Sequence, residues 1–143
     1  MSVVSWNCQG LGNPKAIRIL RNLAKEKDPV MMFLIEIKLD VKRMEKVRAS
    51  VGFQYAFTIP YKGRSGGLAL LWKDSIEVKI QTYSQYHIDV HVHMDTHSWW
   101  RLTGFYGHPE QHKRHETWKL LTHLGSRNQA PWLCLGDFNE ILS

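Results

Sequence analysis

The sequence predicts a single α/β domain, and three observations carry that prediction. A short β-branched opening segment passes through a glycine turn into a helical repeat, an unbroken apolar run follows that helix, and beyond Gly52 the hydrophobic period changes to two. The 143 residues suffice for one domain with a real core and are too few for two comfortable ones.

Ser2 to Trp6 has the residues of a short strand, and Gly10 to Gly12 a turn. Asn13 followed by Pro14 is a helix start, because the Asn side chain accepts from orphan N–H groups and Pro tolerates the first helical position. Ala16, Ile17, Leu20, Leu23 and Ala24 then recur at helical spacing until Asp28-Pro29. Val30 to Ile35 is the apolar run of a strand covered on both faces, so strand, helix and strand imply a parallel pair. Asp40 caps a second helix with Val41, Met44, Val47 and Val51 on one face, and Gly52 closes it. Strands are then expected at Phe53 to Ile59, Leu68 to Trp72, Ile76 to Ile80, Tyr86 to Met94 and Trp99 to Tyr106. A helix over His115 to Leu124 and a buried strand, Trp132 to Leu135, complete the chain. Trp72, Trp118 and Trp132 fit core positions, and of Trp99 and Trp100 one is expected to be exposed.

The composition, 43% hydrophobic and 22% charged, is that of an ordinary globular protein. No run approaches the roughly 20 apolar residues of a membrane span, so no membrane association is expected. The start lacks the pattern of a secretory signal, and Cys8 and Cys134 are the only cysteines, which favours an intracellular protein with free thiols. Nineteen Lys and Arg against 13 Asp and Glu give a formal +6, suiting a polyanionic partner or simple solubility.

Apolar strands stop on polar residues at Asn7, Glu36 and Asp137. Strand C-terminal ends are where α/β sheets open into ligand crevices. Glu36 and Asp137 are hard oxygen donors suited to magnesium, and Asn7 orients a phosphate or carboxyl without adding charge. The competing reading is that Asn7 or Asp137 simply caps the adjoining turn or helix. Glu36, between Ile35 and Ile37, fits that reading less well.

Five ordered segments, WNCQGLGNP from Trp6, FLIEIKL from Phe33, GRSGGLALLW from Gly63, GFYGHP from Gly104 and GDFNE from Gly136, resemble the motifs of the endonuclease/exonuclease/phosphatase family. Within it, the chain is similar to the apurinic-type endonuclease domain of plant non-LTR retroelements. The resemblance implies a two-sheet α/β sandwich that hydrolyses DNA phosphodiesters with Mg2+, Mn2+ being possible, in a nuclear protein. It implies Glu36 as metal ligand, Asn7 and Lys38 as site-orienting residues, and Tyr106 as a phosphate contact or acid-like donor. Asp137 would orient or activate water, and Asn139 would contact the phosphate and transition state. A core aromatic with its hydroxyl in water is the other reading of Tyr106.

Ile37 departs from the threonine usual in plant relatives, and at that strand position it is expected to point away from Glu36. In the family a later Asp and a terminal Asp-His pair follow, whereas this sequence stops at Ser143. The expectation is therefore a C-terminally truncated domain over residues 1–143, comprising the first half and one strand of the second. Without the positioned histidine, which is worth about 10²–10⁴-fold, it should hydrolyse weakly or not at all alone. Two further readings are a non-catalytic remnant that at most binds nucleic acid, and a phosphatase for inositol phosphates or lipids.

His87, Asp89, His91 and His93 alternate with Ile88, Val90, Val92 and Met94, which reads as a half-exposed antiparallel strand in preference to a zinc site. His112 and His115 read as surface residues. Lys62, Arg64, Lys113 and Arg114 lie in or beside loops and suit either DNA phosphates or solvent. Gly66-Gly67 is expected only to let the backbone turn before a strand.

Overall fold

Asn13 and Pro14 start the first helix as predicted, the Asn13 Oδ1 accepting from the Ala16 N–H at 2.8 Å. The computed structural model describes residues 2–63, 65–93, 99–107 and 132–137. In chain order they form β1 (Val3–Asn7), α1 (Pro14–Lys27), β2 (Met31–Ile35), α2 (Val41–Val51), β3 (Tyr55–Ile59), β4 (Leu68–Trp72), β5 (Glu77–Ser84), β6 (His87–His93), β7 (Trp100–Tyr106) and β8 (Trp132–Asp137). The helix expected over His115 to Leu124, together with Trp118, His112 and His115, lies outside the described residues.

Two mixed sheets result, ordered β1-β2-β4-β3 and β5-β6-β7-β8. The strand, helix, strand unit closes as a parallel β1–β2 pair, and β7 and β8 form the second parallel pair. All five side chains of β2 are buried. Met32 and Leu34 join a cluster with Leu20, Met44 and Val47 of the helices, while Met31, Phe33 and Ile35 join a cluster with Ile88, Val90 and Leu102 of the second sheet. Alternation along one strand thus supplies both the helix–sheet core and the sheet–sheet core, each buried side chain contributing about 1.5–3 kcal/mol.

Several boundaries move. Phe53 is not in β3: its N–H bonds the Arg48 carbonyl and its ring is buried beneath the end of α2. β5 runs four residues past Ile80 because a register shift between Ile80 and Thr82 lets it keep pairing with β6. Val41 is 48% exposed, since as the first helical residue after the Asp40 cap it does not reach the sheet that Met44 and Val47 cover. Trp99 and Trp100 are both half-buried; Trp99 stacks on His93 at 4.7 Å, so neither indole stands fully in water. Trp72 and Trp132 are half-buried at the margins of the core.

The polar face of β6 is the main correction. His87 and Asp89 are 4% and 3% exposed, not half in water. Asp89 is held by the Arg101 Nε at 2.8 Å and Nη2 at 3.1 Å, and by the Thr103 hydroxyl at 2.7 Å. The His87 ring nitrogens bond the hydroxyls of Ser84 and Thr82 at 2.7 and 3.0 Å. Burial is tolerated because every charge in the group has a partner. Thr103 also accepts from the Trp132 indole N–H at 2.8 Å, which ties β8 to this network. Among the described residues, no group of three His, Cys, Asp or Glu could hold a metal, and no helix is long and apolar enough to cross a membrane.

Candidate active site

The two parallel pairs end in the same region of the sandwich. Asn7 lies in register with Ile35 at the end of β1 and β2, and Tyr106 with Asp137 at the end of β7 and β8. Glu36 is the first residue beyond β2. Regular alternation would send its side chain to the helix side with Met32 and Leu34. Instead Glu36 has φ 57°, a left-handed conformation that re-aims the side chain toward the second sheet. There the Tyr106 hydroxyl donates to its Oε1 at 2.5 Å.

Backbone bonds on both sides hold this turn. The Gly10 and Leu11 N–H groups bond the carbonyls of Glu36 and Ile37 at 2.8 and 3.0 Å, and the Lys38 N–H bonds the Gly66 carbonyl at 2.7 Å. A Cβ on Gly66 would stand 2.9 Å from the Glu36 Cα, so only glycine lets the two backbones approach this closely. Gly66-Gly67 is thus part of the seat of Glu36, a role beyond the simple turn expected of it. The sequence does hold a signal for it, since a glycine pair entering a buried strand marks close backbone approach as well as a turn.

Tyr106 is 3% exposed, stacks with Tyr86 at 6.4 Å between centroids, and directs its hydroxyl to Glu36 rather than to water. The Asn7 Oδ1 accepts from the Gln9 N–H at 3.1 Å, which shapes the turn leaving β1. Lys38 is exposed and makes no ion pair with a described residue. Ile37 is fully buried in the helix-side cluster, pointing away from Glu36 as expected. Asp137 is placed by its backbone register alone. Asn139, Arg64, Lys113 and Arg114 lie outside the described residues, and Lys62 is exposed in the loop before β4, its backbone paired with Ser65. Cys8, next to Asn7, is buried, and burial pushes its thiol up to about 12, which makes it an inert packing residue. A groove of about 460 Å³ lined by Phe57, Ile59, Pro60, Tyr83 and Gln85 runs between the edge strands β3 and β5, beside the site and not containing Glu36.

Two facing mixed sheets, helices on the outer side of the first, and a carboxyl–phenol pair where strand C-termini converge define an α/β sandwich of one particular class. The chain belongs to the endonuclease/exonuclease/phosphatase family, whose model matches residues 4–143. Its fold is similar to the endonuclease domain of TRAS1, a telomere-specific non-LTR retrotransposon (15% identity, TM-score 0.70), over 97% of this chain and 60% of that one. It is likewise similar to an AP endonuclease from Archaeoglobus fulgidus (16% identity, TM-score 0.69, 95% and 56% covered). A third similar structure is D. rerio TDP2 complexed with single-strand DNA product (14% identity, TM-score 0.68, 98% and 61% covered). The chain spans about three fifths of the length of these structures. No curated protein matches it.

Proposed function

We propose that this chain takes part in magnesium-dependent hydrolysis of DNA phosphodiester bonds, as an endonuclease of the retroelement type. The observation that carries the reading is the Glu36–Tyr106 pair, formed where the ends of two parallel strand pairs meet. The solved structures it resembles, a retrotransposon endonuclease, an AP endonuclease and a DNA-bound TDP2, support DNA as the substrate class.

The residues fit a hard dication. Tyr106 engages one oxygen of Glu36, and its second oxygen offers the kind of ligand that Mg2+ or Mn2+ takes from one or two carboxylates while keeping water on the rest. When bound, such an ion polarises a phosphoryl oxygen and neutralises developing charge. On this reading Glu36 would hold the ion, the Tyr106 hydroxyl, which donates to Glu36 in the structure, would turn its hydrogen toward a phosphate oxygen once substrate is bound, and Asn7 and Lys38 would orient the site. Asp137 aligns the attacking water, Asn139 contacts the phosphate, and Lys62, Arg64, Lys113 and Arg114 meet the DNA backbone.

Supercoiled plasmid incubated with the protein and Mg2+ tests the proposal. Nicking that disappears in Glu36→Ala and in Asp137→Ala supports it. Because this chain alone is expected to nick weakly, equal nicking by Glu36→Ala overturns the proposal, the absence of metal-dependent nicking favours the non-catalytic remnant, and release of phosphate from inositol phosphates would move the substrate class to a phosphatase.

A further inference from the structure

The net positive charge of this protein comes from its two helices. Helices α1 and α2 hold nine Lys and Arg against two Asp and Glu, a surplus of seven; the whole chain has a surplus of six, so everything outside the helices sums to minus one. Lys15, Arg18, Lys25, Lys42, Arg43 and Lys46 are all exposed, and none forms an ion pair with a described residue. The acids nearby are engaged otherwise: Glu45 pairs with Arg48, and Asp40 caps α2.

The two helices lie side by side, the Arg21 Nε donating to the Ser50 hydroxyl at 2.9 Å, so their cations share one surface. α1 begins at Pro14, shortly after Asn7, and α2 at Val41, shortly after Glu36, so the surface starts at the candidate-site end and runs away from it. A 14-residue helix spans about 21 Å at ~1.5 Å per residue, a length over which duplex DNA presents roughly a dozen phosphates.

Composition narrows the partner. Neither helix contains an aromatic residue on which an unpaired base could stack. The apolar stripes of both helices are spent on the sheet, through Ala16 and Leu20 and through Met44 and Val47, and the exposed Ile19 and Val41 are single residues, one on each helix, which do not make an apolar face able to enter a lipid surface. There remains an array of long cationic side chains, which recognises phosphates and not bases.

We propose that the outer face of α1 and α2 is a sequence-independent binding surface for double-stranded nucleic acid. This goes beyond the hydrolytic reading and does not depend on it. The test is binding of a labelled 20-base-pair DNA duplex of arbitrary sequence by fluorescence anisotropy, in EDTA, from 50 to 200 mM KCl, so that its outcome is independent of nicking. Wild type should bind with a steep salt dependence. The triple variant Arg18→Glu, Lys25→Glu, Lys46→Glu, all on exposed helical positions, should bind at least tenfold more weakly at 50 mM, with a salt slope shallower by about 0.9 for each phosphate no longer neutralised. Circular dichroism checks its fold, and K25Q/K46Q provides the same comparison without charge reversal. Unchanged affinity and slope in both variants overturns the proposal, as does no binding of the duplex by wild type at 50 mM. Tighter binding of a single strand of the same length, or of phosphatidylserine vesicles in place of the duplex, also overturns it.

Discussion

Tyr106, the last residue of β7, donates its phenolic hydrogen to Glu36, the first residue beyond β2, at 2.5 Å, and so joins the two sheets at the candidate site. Tyr106→Phe keeps the ring stacked on Tyr86 and deletes this bond. If the phenol serves the chemistry, Mg2+-dependent nicking should fall about 10²-fold, within the range for a positioned proton donor, while the thermal midpoint drops by only a few degrees. A variant as active as wild type would take Tyr106 out of the reaction.

Gly66→Ala places a methyl group 2.9 Å from the Glu36 Cα, where backbone and not a flexible side chain must move. A destabilisation of about 1–3 kcal/mol is expected in urea. Weaker Mn2+ binding should accompany it, read by calorimetry on the folded variant, because the displaced segment carries the proposed ligand.

Asp89 and Arg101 are both nearly inaccessible, so removing Asp89 takes the carboxylate partner away from a charge that stays in the interior. Asp89→Ala should cost about 3–5 kcal/mol in urea denaturation. Asp89→Leu combined with Arg101→Met should cost less than the sum of the two single changes, since neither charge remains in the interior.

Burial lowers the His87 pKa below its ordinary 6.5, outweighing the raising effect of Asp89, while the Arg101 charge adds to the lowering. The unfolded chain therefore binds a proton at higher pH than the folded one, and stability is lost as pH falls below about 6.5 toward the folded value. The loss is at most about 1.4 kcal/mol per pH unit from this group. Urea midpoints from pH 7.5 down to 5 should show it, and His87→Gln should flatten that part of the profile.

The two thiols should separate chemically. With its pKa pushed to about 12, Cys8 is about 10⁻⁴ thiolate at pH 8 and is buried, whereas Cys134 is exposed. One equivalent of thiol should react with a disulfide reagent under native conditions, and the second only in denaturant. Two equally fast equivalents would show that Cys8 is not packed as described.

Much of the first sheet was legible because its signals are local. Asn13-Pro14, Asp40 and Gly52 set the helix ends through capping, and the Val30 to Ile35 run announced a strand covered on both sides. Glu36 stood out as a polar stop, yet its left-handed φ was not readable, because alternation assigns it to the opposite face and only the seat made by Gly10 and Gly66 forces the turn. The second sheet misled in another way. An alternating polar face looks solvated unless its partners are known, and those of Asp89 sit 12 and 14 residues away on β7. Tyr106 was legible as a strand end, while its destination required two sheets to face each other.

Glu36 and Tyr106 stand 70 positions apart in the chain. β5, β6 and β7 are consecutive neighbours in one sheet and Glu36 follows a strand of the other, so the bond between these two residues needs both sheets in place and facing each other. A nascent or half-folded molecule carries the acid and the phenol without bringing them together. The Glu36–Tyr106 pair is therefore a product of completed assembly, and a copy whose sheets have not docked lacks the arrangement on which the proposed chemistry rests.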